Sequence, residues 1–313
     1  MQCSPLLRNK DRWLNKSWIL NKFSVQRQLL WNEVVDVTYI LLIFNKSKFI
    51  VLTNLIFIYI GGNFIMTSAI VLAAGKGTRM KSELPKVLHP VCEKPMIMHI
   101  FEKLEASRIQ DKIIVIGHKG EMVRETIGNG VKYAYQLEQK GTGHAVMQAI
   151  PQLRDEGNTL IITGDTPLIQ EKTILSLLEK HQQANNDGTI LITKFEDPTG
   201  YGRIIRNKDG EVIDIIEEKD ANHEQRKIQE VNTGIFVFKN KSLIEGLPLI
   251  ENNNVQNEYY LTDMVSILNK QNKKFGSYLL FDNAQVMGIN DRKQLEQAED
   301  IMRKYNNRFG CKK

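Results

Sequence analysis

The chain has 313 residues, of which 42% are hydrophobic and 25% are charged, a composition typical of globular proteins and long enough for one large α/β domain with additions. The formal net charge is +6, but residues 1–65 carry eight lysines and arginines against three acidic residues, which leaves +1 for the remainder. This near-neutral remainder excludes a strongly basic nucleic-acid-binding protein. The cysteines, Cys3, Cys92 and Cys311, fit neither a disulfide framework nor a metal-binding spacing, which indicates a reducing, cytoplasmic compartment.

The first 65 residues differ from the rest of the chain. An apolar run at residues 49–60, interrupted only by Thr53 and Asn54, is shorter than the ~20 residues of a membrane-spanning helix. Two interpretations stay open: a weak membrane anchor, or an extension upstream of a natural start at Met66. We favour the extension, because the apolar run leads into the first predicted strand without a linker. Membrane association is therefore expected only if residues 1–65 form a real anchor.

From residue 68 onwards, short apolar runs alternate with helical patterns. The predicted strands cover residues 69–74, 112–117, 159–165 and 189–193, and the predicted helices cover residues 96–106, 143–150 and 172–184. Strands separated by helices of this length favour right-handed crossovers and a doubly wound, mostly parallel α/β sheet. Ligands of such sheets bind at the carboxyl ends of the strands, where Gly75 and Asp165 fall.

After residue 199 the pattern changes to shorter β segments joined by turns. Predicted strands at residues 202–206, 212–217 and 233–238 indicate a smaller, β-rich, sugar-binding subdomain. A charged helix at residues 295–305 closes the pattern. The expected organisation is a hydrophobic and basic extension over residues 1–65, a main domain over residues 66–292, and a carboxyl-terminal helix with a truncated linker over residues 293–313.

The sharpest chemical signal is the segment at residues 72–80, with the sequence LAAGKGTRM. Glycines after a strand let backbone N–H groups approach a phosphate, and nearby cations neutralise its charge. The segment is not a P-loop, because Gly77 follows Lys76, and it is not a dinucleotide fingerprint, because Met80 stands where the third glycine belongs. Two further cations, Arg79 and Lys86, favour phosphate binding over a purely structural turn.

These residues resemble the signature of the nucleotidyltransferases that activate sugar 1-phosphates, whose fold is Rossmann-like. Five further segments resemble the N-acetylglucosamine-1-phosphate uridylyltransferase branch: residues 136–145 (QLEQKGTGHA), 197–204 (DPTGYGRI), 217–220 (EEKD), 230–234 (EVNTG) and 257–263 (NEYYLTD). The resemblance extends over about residues 67–307. It implies that UTP and N-acetylglucosamine 1-phosphate are converted to UDP-N-acetylglucosamine and pyrophosphate, for peptidoglycan and other cell-envelope precursors.

Members of this branch are usually bifunctional, with a carboxyl-terminal β-helix of hexapeptide repeats that acetylates glucosamine 1-phosphate. This sequence shows no such repeats before Lys313, so we expect the uridylyl transfer alone and leave the oligomeric state open. Two alternatives also stay open: a pyrophosphorylase with another base or sugar, and an inactive nucleotide-sensing module. The joint presence of Arg79, Lys86, Asp165 and Asn290 argues against the inactive module.

The resemblance assigns two catalytic residues, with Arg79 on the leaving phosphates and Lys86 on the α-phosphate and the sugar phosphate. No general base is required, because a phosphate oxygen is already anionic at neutral pH. Asp165 follows a buried strand, where a hard oxygen ligand for Mg²⁺ is expected, although a helix cap before Pro167 would also explain it. Asn290, within GINDR at residues 288–292, is the second metal ligand by resemblance, and Mg²⁺ is the expected cofactor.

The resemblance also divides the substrate between two groups of residues. Gln136, Gly141 and Thr142 are expected to recognise uracil, with Gln139 as a further candidate. Gly202, Glu217 and Asn232 are expected to hold the sugar. The complete set of expected substrate-binding residues is Leu72, Ala73, Ala74, Gly75, Lys86, Gln136, Gly141, Thr142, Thr163, Gly164, Asp165, Gly202, Glu217, Asn232 and Asn290.

Overall fold

The structure, a computed structural model, describes residues 66–308 and two short strands before them. By internal contacts the chain divides into two units, Met1–Asn63 and Phe64–Lys313. In the first unit, β1 (Leu42–Asn45) pairs antiparallel with β2 (Lys48–Val51). Most of the apolar run at residues 49–60 lies outside the described residues. No helix in the described part of the chain is long and apolar enough to cross a membrane.

The second unit contains a nine-stranded sheet with helices packed on it. The strands of this unit, including the two-residue pair β4 and β5, are β3 (Thr67–Ala73), β4 (Pro90–Val91), β5 (Lys94–Pro95), β6 (Asp111–Ile116), β7 (Lys132–Tyr135), β8 (Asn158–Thr163), β9 (Gly188–Lys194), β10 (Arg203–Arg206), β11 (Val212–Ile216), β12 (Glu230–Lys239) and β13 (Phe275–Leu280). The helices are α1 (Met96–Ala106), α2 (Gly120–Ile127), α3 (Thr142–Ala149), α4 (Glu171–Gln183), α5 (His223–Arg226), α6 (Asn240–Gly246), α7 (Met264–Lys270) and α8 (Arg292–Arg308).

The strand order is β11-β10-β12-β8-β3-β6-β7, with β9 also paired to β12 and β13 paired to β9. Strands β7, β6, β3 and β8 pair in parallel, as do β9 and β13. Following the antiparallel pairings of β12 and β11, seven of the nine described strands of this sheet run in one direction. The predicted doubly wound, mostly parallel α/β sheet is confirmed.

The irregular part of β12 leaves an opening in the sheet between β8 and β10. One edge of β12 pairs with β9, whereas the other edge pairs with β10 at Val231 and with β8 from Phe236 onward. The register shifts between Asn232 and Phe236, and Gly234 has a φ of 76°. The carboxyl end of β8 and the start of β10 are therefore separated by the irregular part of β12. The β segments after residue 199 extend the central sheet beyond this opening instead of forming a sheet of their own.

Burial on both faces explains why the central strands are apolar throughout. Ile70 of β3 packs in a cluster with Val146 of α3, whereas its neighbour Val71 packs in a second cluster with Ile97 of α1. Adjacent residues of a strand point to opposite faces, so a strand covered on both faces has no polar alternation. Helix α8 packs Ala298 onto a third, smaller cluster and is longer than the predicted helix at residues 295–305.

Candidate active site

A cavity of about 270 Å³ lies at the carboxyl ends of β3 and β8. Ten of the predicted substrate-binding residues line it: Leu72, Ala73, Ala74, Gly75, Lys86, Gln136, Gly141, Thr142, Thr163 and Asp165. Gln139, the further candidate for uracil recognition, also lines it. Three lining residues were not predicted: Val87, Ala145 and Glu258. Glu258 belongs to the NEYYLTD segment, whose resemblance to the family assigns this residue no role.

Gly164 does not line the cavity but contacts two residues that do, Leu72 and Val87. Its N–H donates to the Leu72 carbonyl oxygen at 2.8 Å, and a Cβ atom at this position would lie 2.9 Å from Val87 Cγ1. The glycine therefore lets the end of β8 approach the end of β3 closely. This approach places Asp165 beside the loop that follows β3.

The glycine loop after β3 presents unpaired backbone donors. The N–H groups of Gly75, Lys76 and Gly77 have no hydrogen-bond acceptor among residues 66–308. Gly77 has a φ of 60°, and a Cβ there would lie 2.6 Å from Lys86 Cβ, so only glycine fits between the loop and the Lys86–Leu88 turn. The arrangement suits an anion, because the loop has free N–H groups and Lys86 packs beside it.

Arg79 lies outside the cavity lining, on the one-turn helix Thr78–Met80. Met80 is buried and anchors the turn, whereas Arg79 is exposed. Its guanidinium makes no hydrogen bond or ion pair with the described residues. The side chain is therefore available to an added anion and supports no packing of the core.

Lys86 joins the two predicted metal ligands. Its Nζ forms an ion pair with Asp165 Oδ2 and donates to Asn290 Oδ1 at 3.1 Å. The side chains of Lys86 and Asp165 are only 17% and 16% exposed. The N–H of Ile289 donates to the Asp165 carbonyl oxygen at 3.0 Å, which holds the Asn290 segment against the end of β8. Both predicted ligands therefore direct an oxygen at the same cationic group.

This donor set fits a hard divalent cation. A carboxylate oxygen and an amide oxygen already converge on one positive charge, and Mg²⁺ binds through few protein oxygens, with water and phosphate completing its shell. Within the described residues there is no group of three or more His, Cys, Asp and Glu side chains arranged to hold a metal. A metal at Asp165 and Asn290 would therefore take the rest of its ligands from water and substrate.

The predicted uracil loop begins at Gln136, which is 3% exposed and follows β7. Gln136 Nε2 donates to the Gly141 carbonyl oxygen at 3.0 Å and to His144 Nδ1 at 3.0 Å. Gly141 has a φ of 105°, and a Cβ there would lie 2.5 Å from the Tyr259 carbonyl oxygen. The loop is therefore closed on itself and packed against the chain at Tyr259.

The NEYYLTD segment fastens this loop to the predicted sugar side. The N–H of Gly143 donates to the Tyr259 carbonyl oxygen at 2.8 Å, and the N–H of Leu261 donates to Thr142 Oγ1 at 3.0 Å. The next residue, Thr262, donates through Oγ1 to Glu217 Oε1 at 3.1 Å. Two consecutive residues of one turn thus contact both groups of predicted substrate-binding residues.

Gly202, Glu217 and Asn232 form a second group, which does not line the cavity. A Cβ at Gly202 would lie 3.2 Å from Glu217 Oε2 and 3.4 Å from Asn232 Cβ, so the three residues are in close contact. Burial raises the pKa of the Glu217 carboxyl, the nearby acidic side chains raise it further, and the hydrogen bond from Thr262 opposes them. The group lies beside the irregular part of β12, next to the opening.

Arg203 links the DPTGYGRI segment to the EEKD segment. It is 1% exposed and forms an ion pair with Glu218 Oε2 at 2.7 Å. Glu218 Oε2 also accepts from the N–H of Gly200 at 3.2 Å. This pair supports the turn before β10, and the resemblance had not indicated that structural role.

Comparison with known proteins identifies relatives of the chain. Residues 68–284 match the family model described as nucleotidyl transferase. The bifunctional protein GlmU of Streptococcus uberis is 51% identical over 241 residues, which cover 77% of this chain and 53% of that protein. GlmU of Streptococcus pyogenes serotype M1 is 51% identical over 236 residues, which cover 75% and 51% of the two chains. The chain thus spans about half the length of the curated relatives it matches.

A solved structure shows the same fold. It is a Bacillus anthracis protein described as a glucose-1-phosphate thymidylyltransferase in complex with a sucrose, with 22% identity and a TM-score of 0.61. The match covers 76% of this chain and 95% of that one. Nucleotidyltransferases related to these proteins generally use a divalent metal.

Proposed function

Since this chain belongs to the nucleotidyl transferase family, we propose that it transfers a uridylyl group from UTP to N-acetylglucosamine 1-phosphate, forming UDP-N-acetylglucosamine and pyrophosphate. The observation that carries the proposal is the meeting of three features at one cavity: the glycine loop, the Gln136–Thr142 loop, and the Lys86–Asp165–Asn290 cluster. Identity of 51% to GlmU proteins over this region supports the choice of base and sugar. We further propose a cytoplasmic location and a role in supplying precursors of cell-envelope polysaccharides.

The transfer forms a bond between an oxygen of the sugar phosphate and the α-phosphorus of UTP, and it breaks the bond from that phosphorus to the pyrophosphate. The attacking oxygen is anionic at neutral pH, so catalysis depends on alignment and on neutralising charge. The free N–H groups of Gly75, Lys76 and Gly77 bind the phosphates of UTP. Arg79 stabilises the negative charge that develops on the leaving pyrophosphate.

Asp165 and Asn290 would hold Mg²⁺, which supplies charge neutralisation and alignment for the phosphates when it is bound. Lys86 now occupies the position between their oxygens. Lys86 would give up both contacts when Asp165 and Asn290 hold the metal, and its ammonium would then be available to the α-phosphate and the sugar phosphate. Lys86 therefore pairs with the Asp165 carboxylate in the free protein and with substrate phosphates in the loaded one.

Pyrophosphate release by the purified full-length chain tests the proposal. UTP, CTP, dTTP and GTP are each offered with N-acetylglucosamine 1-phosphate, and glucose 1-phosphate replaces the amino sugar in a parallel series. We expect release with UTP and N-acetylglucosamine 1-phosphate, loss of release in EDTA, and recovery with excess Mg²⁺. Asp165→Asn should remain inactive with Mg²⁺. Absence of turnover with UTP would refute the assigned activity, and full activity in EDTA would refute the metal assignment.

A further inference from the structure

The amide of Gln136 is held in one orientation by two acceptors. Its Nε2 donates to the Gly141 carbonyl oxygen and to His144 Nδ1, both at 3.0 Å, which uses both of its N–H groups. Its Oε1 makes no hydrogen bond among the described residues. This oxygen is accessible, since it is absent from the buried side-chain atoms that have no partner. Because Gln136 lines the cavity, this carbonyl oxygen is the polar atom left for a ligand.

The orientation of this amide decides what the cavity presents to a base. A carbonyl oxygen accepts a hydrogen bond, whereas the NH₂ end donates one. Uracil carries an N3–H donor, and cytosine carries a bare N3 acceptor at the same ring position. An amide that presents its oxygen therefore accepts from uracil and repels cytosine. A rotated amide would reverse that preference.

We propose that His144 is a positioning residue that sets base specificity through Gln136. His144 lies on the first turn of α3 and is not part of the cavity lining, so it acts on the base only through the Gln136 amide. Its Nδ1 accepts one N–H of Gln136 and so directs the Gln136 oxygen towards the base. The inference rests on the proposed function and adds a specificity residue to it.

Gln148 lies at the other ring nitrogen without holding the ring. Its Nε2 donates to the His144 backbone carbonyl oxygen at 3.2 Å and lies 3.3 Å from His144 Nε2, which is a donor-to-donor contact when Nδ1 accepts from Gln136. The ring also lies beside Tyr259, with a centroid distance of 6.2 Å. Rotation of the Gln136 amide would bring its oxygen against two acceptors, Gly141 O and His144 Nδ1. Removing the His144 acceptor removes one of these two constraints.

The test compares nucleotide selectivity in His144→Phe and His144→Asn. Phenylalanine keeps the ring without its nitrogens, whereas the asparagine Oδ1 supplies an acceptor close to the position of Nδ1. We expect the ratio of kcat/KM for UTP to that for CTP to fall about 5- to 20-fold in His144→Phe, mainly through a higher KM for UTP, because one buried donor loses its partner. His144→Asn should keep the ratio within about threefold of the original protein, since it retains the acceptor.

Gln148→Leu is the matched control, because it removes the contact at the other ring nitrogen and should leave the ratio unchanged. If His144→Phe does not fold, His144→Leu makes the same comparison. An unchanged ratio in folded His144→Phe or His144→Leu overturns the inference. An equal loss of kcat with both nucleotides also overturns it, since a purely structural role gives that result. An original protein that does not turn over UTP refutes the proposed function instead, so the two failures are distinguishable.

Discussion

Replacement of Lys86 by methionine should tighten the binding of a divalent metal to the free protein. The Lys86 ammonium contacts Asp165 Oδ2 and Asn290 Oδ1, the two oxygens expected to bind the metal. A metal that enters this position must first displace the ammonium. Methionine retains most of the apolar length of lysine without its charge, so the variant leaves the Asp165 carboxylate without its counter-ion and open to a metal.

The size of the effect follows from the contacts that the metal has to break. Lys86 and Asp165 are 17% and 16% exposed, so their interaction is only partly screened by water. A hydrogen bond to a charged group contributes about 1.5–3 kcal/mol to stability. That range corresponds to about a 10- to 150-fold change in a dissociation constant. We therefore expect Lys86→Met to bind Mn²⁺ about 10- to 100-fold more tightly than the original chain.

The measurement is a titration of the protein with Mn²⁺ in the absence of nucleotide, followed by the electron paramagnetic resonance signal of the free ion. Lys76→Met is the matched control, because Lys76 is exposed on the neighbouring glycine loop and makes no ion pair with Asp165. Adding Asp165→Asn to the Lys86→Met variant should remove the gain. Turnover should fall in Lys86→Met while metal affinity rises. An unchanged affinity in a folded Lys86→Met protein would refute the reasoning.

Two further predictions concern charge. Arg79→Ala should lower kcat by ~10² to 10³, as for loss of one preorganised charge stabiliser, and leave the melting temperature unchanged because Arg79 is exposed; a higher KM with unchanged kcat would contradict this role. Burial, together with Asp214 and Asp220 and against Lys270, raises the pKa of Asp263 from 3.8 to about 6. The ionised carboxyl therefore costs little stability below pH 3.8, an increasing amount between pH 3.8 and about 6, and its full amount at higher pH. Asp263→Asn should stabilise the protein by about 1–3 kcal/mol at pH 8 and little at pH 4, measured by thermal unfolding; equal gains at both pH values would contradict the assignment.

The buried centre of the sheet was predictable from local sequence. Strand β3 is covered on both faces, so its residues form an unbroken apolar run that stands out from the chain around it. Strand β7, with the sequence KYAY, lies at the end of the strand order and is partly exposed, and β13 contains a glycine and a serine. Neither strand has a clear period, and both were absent from the prediction. Pairing with β6 and with β9, more than their own composition, makes these two segments strands.

Residues of the candidate site were identified from the sequence in two different ways. The glycine loop at residues 72–80 indicated phosphate binding by its own chemistry, because a glycine turn with cations follows a strand. Asp165 was indicated by its place after a buried strand, where a hard oxygen ligand is expected. The roles of Asn290 and Gln136 depended instead on resemblance to a family, since an isolated Asn or Gln is readily explained by a turn or by exposure to solvent.

The sequence by itself determined the parallel strands, the glycine loop and the family. The tertiary structure alone decided which side chains meet: Lys86 contacts Asp165, 79 residues later, and Asn290, 204 residues later. It also decided that His144 holds the Gln136 amide and that the turn at Leu261 and Thr262 joins the two groups of predicted substrate-binding residues. Hydrophobic period and turn chemistry act within a few neighbouring residues, whereas these contacts depend on strand order and on the register shift in β12. Such long-range register is set by packing of the whole sheet, which no local window of sequence contains.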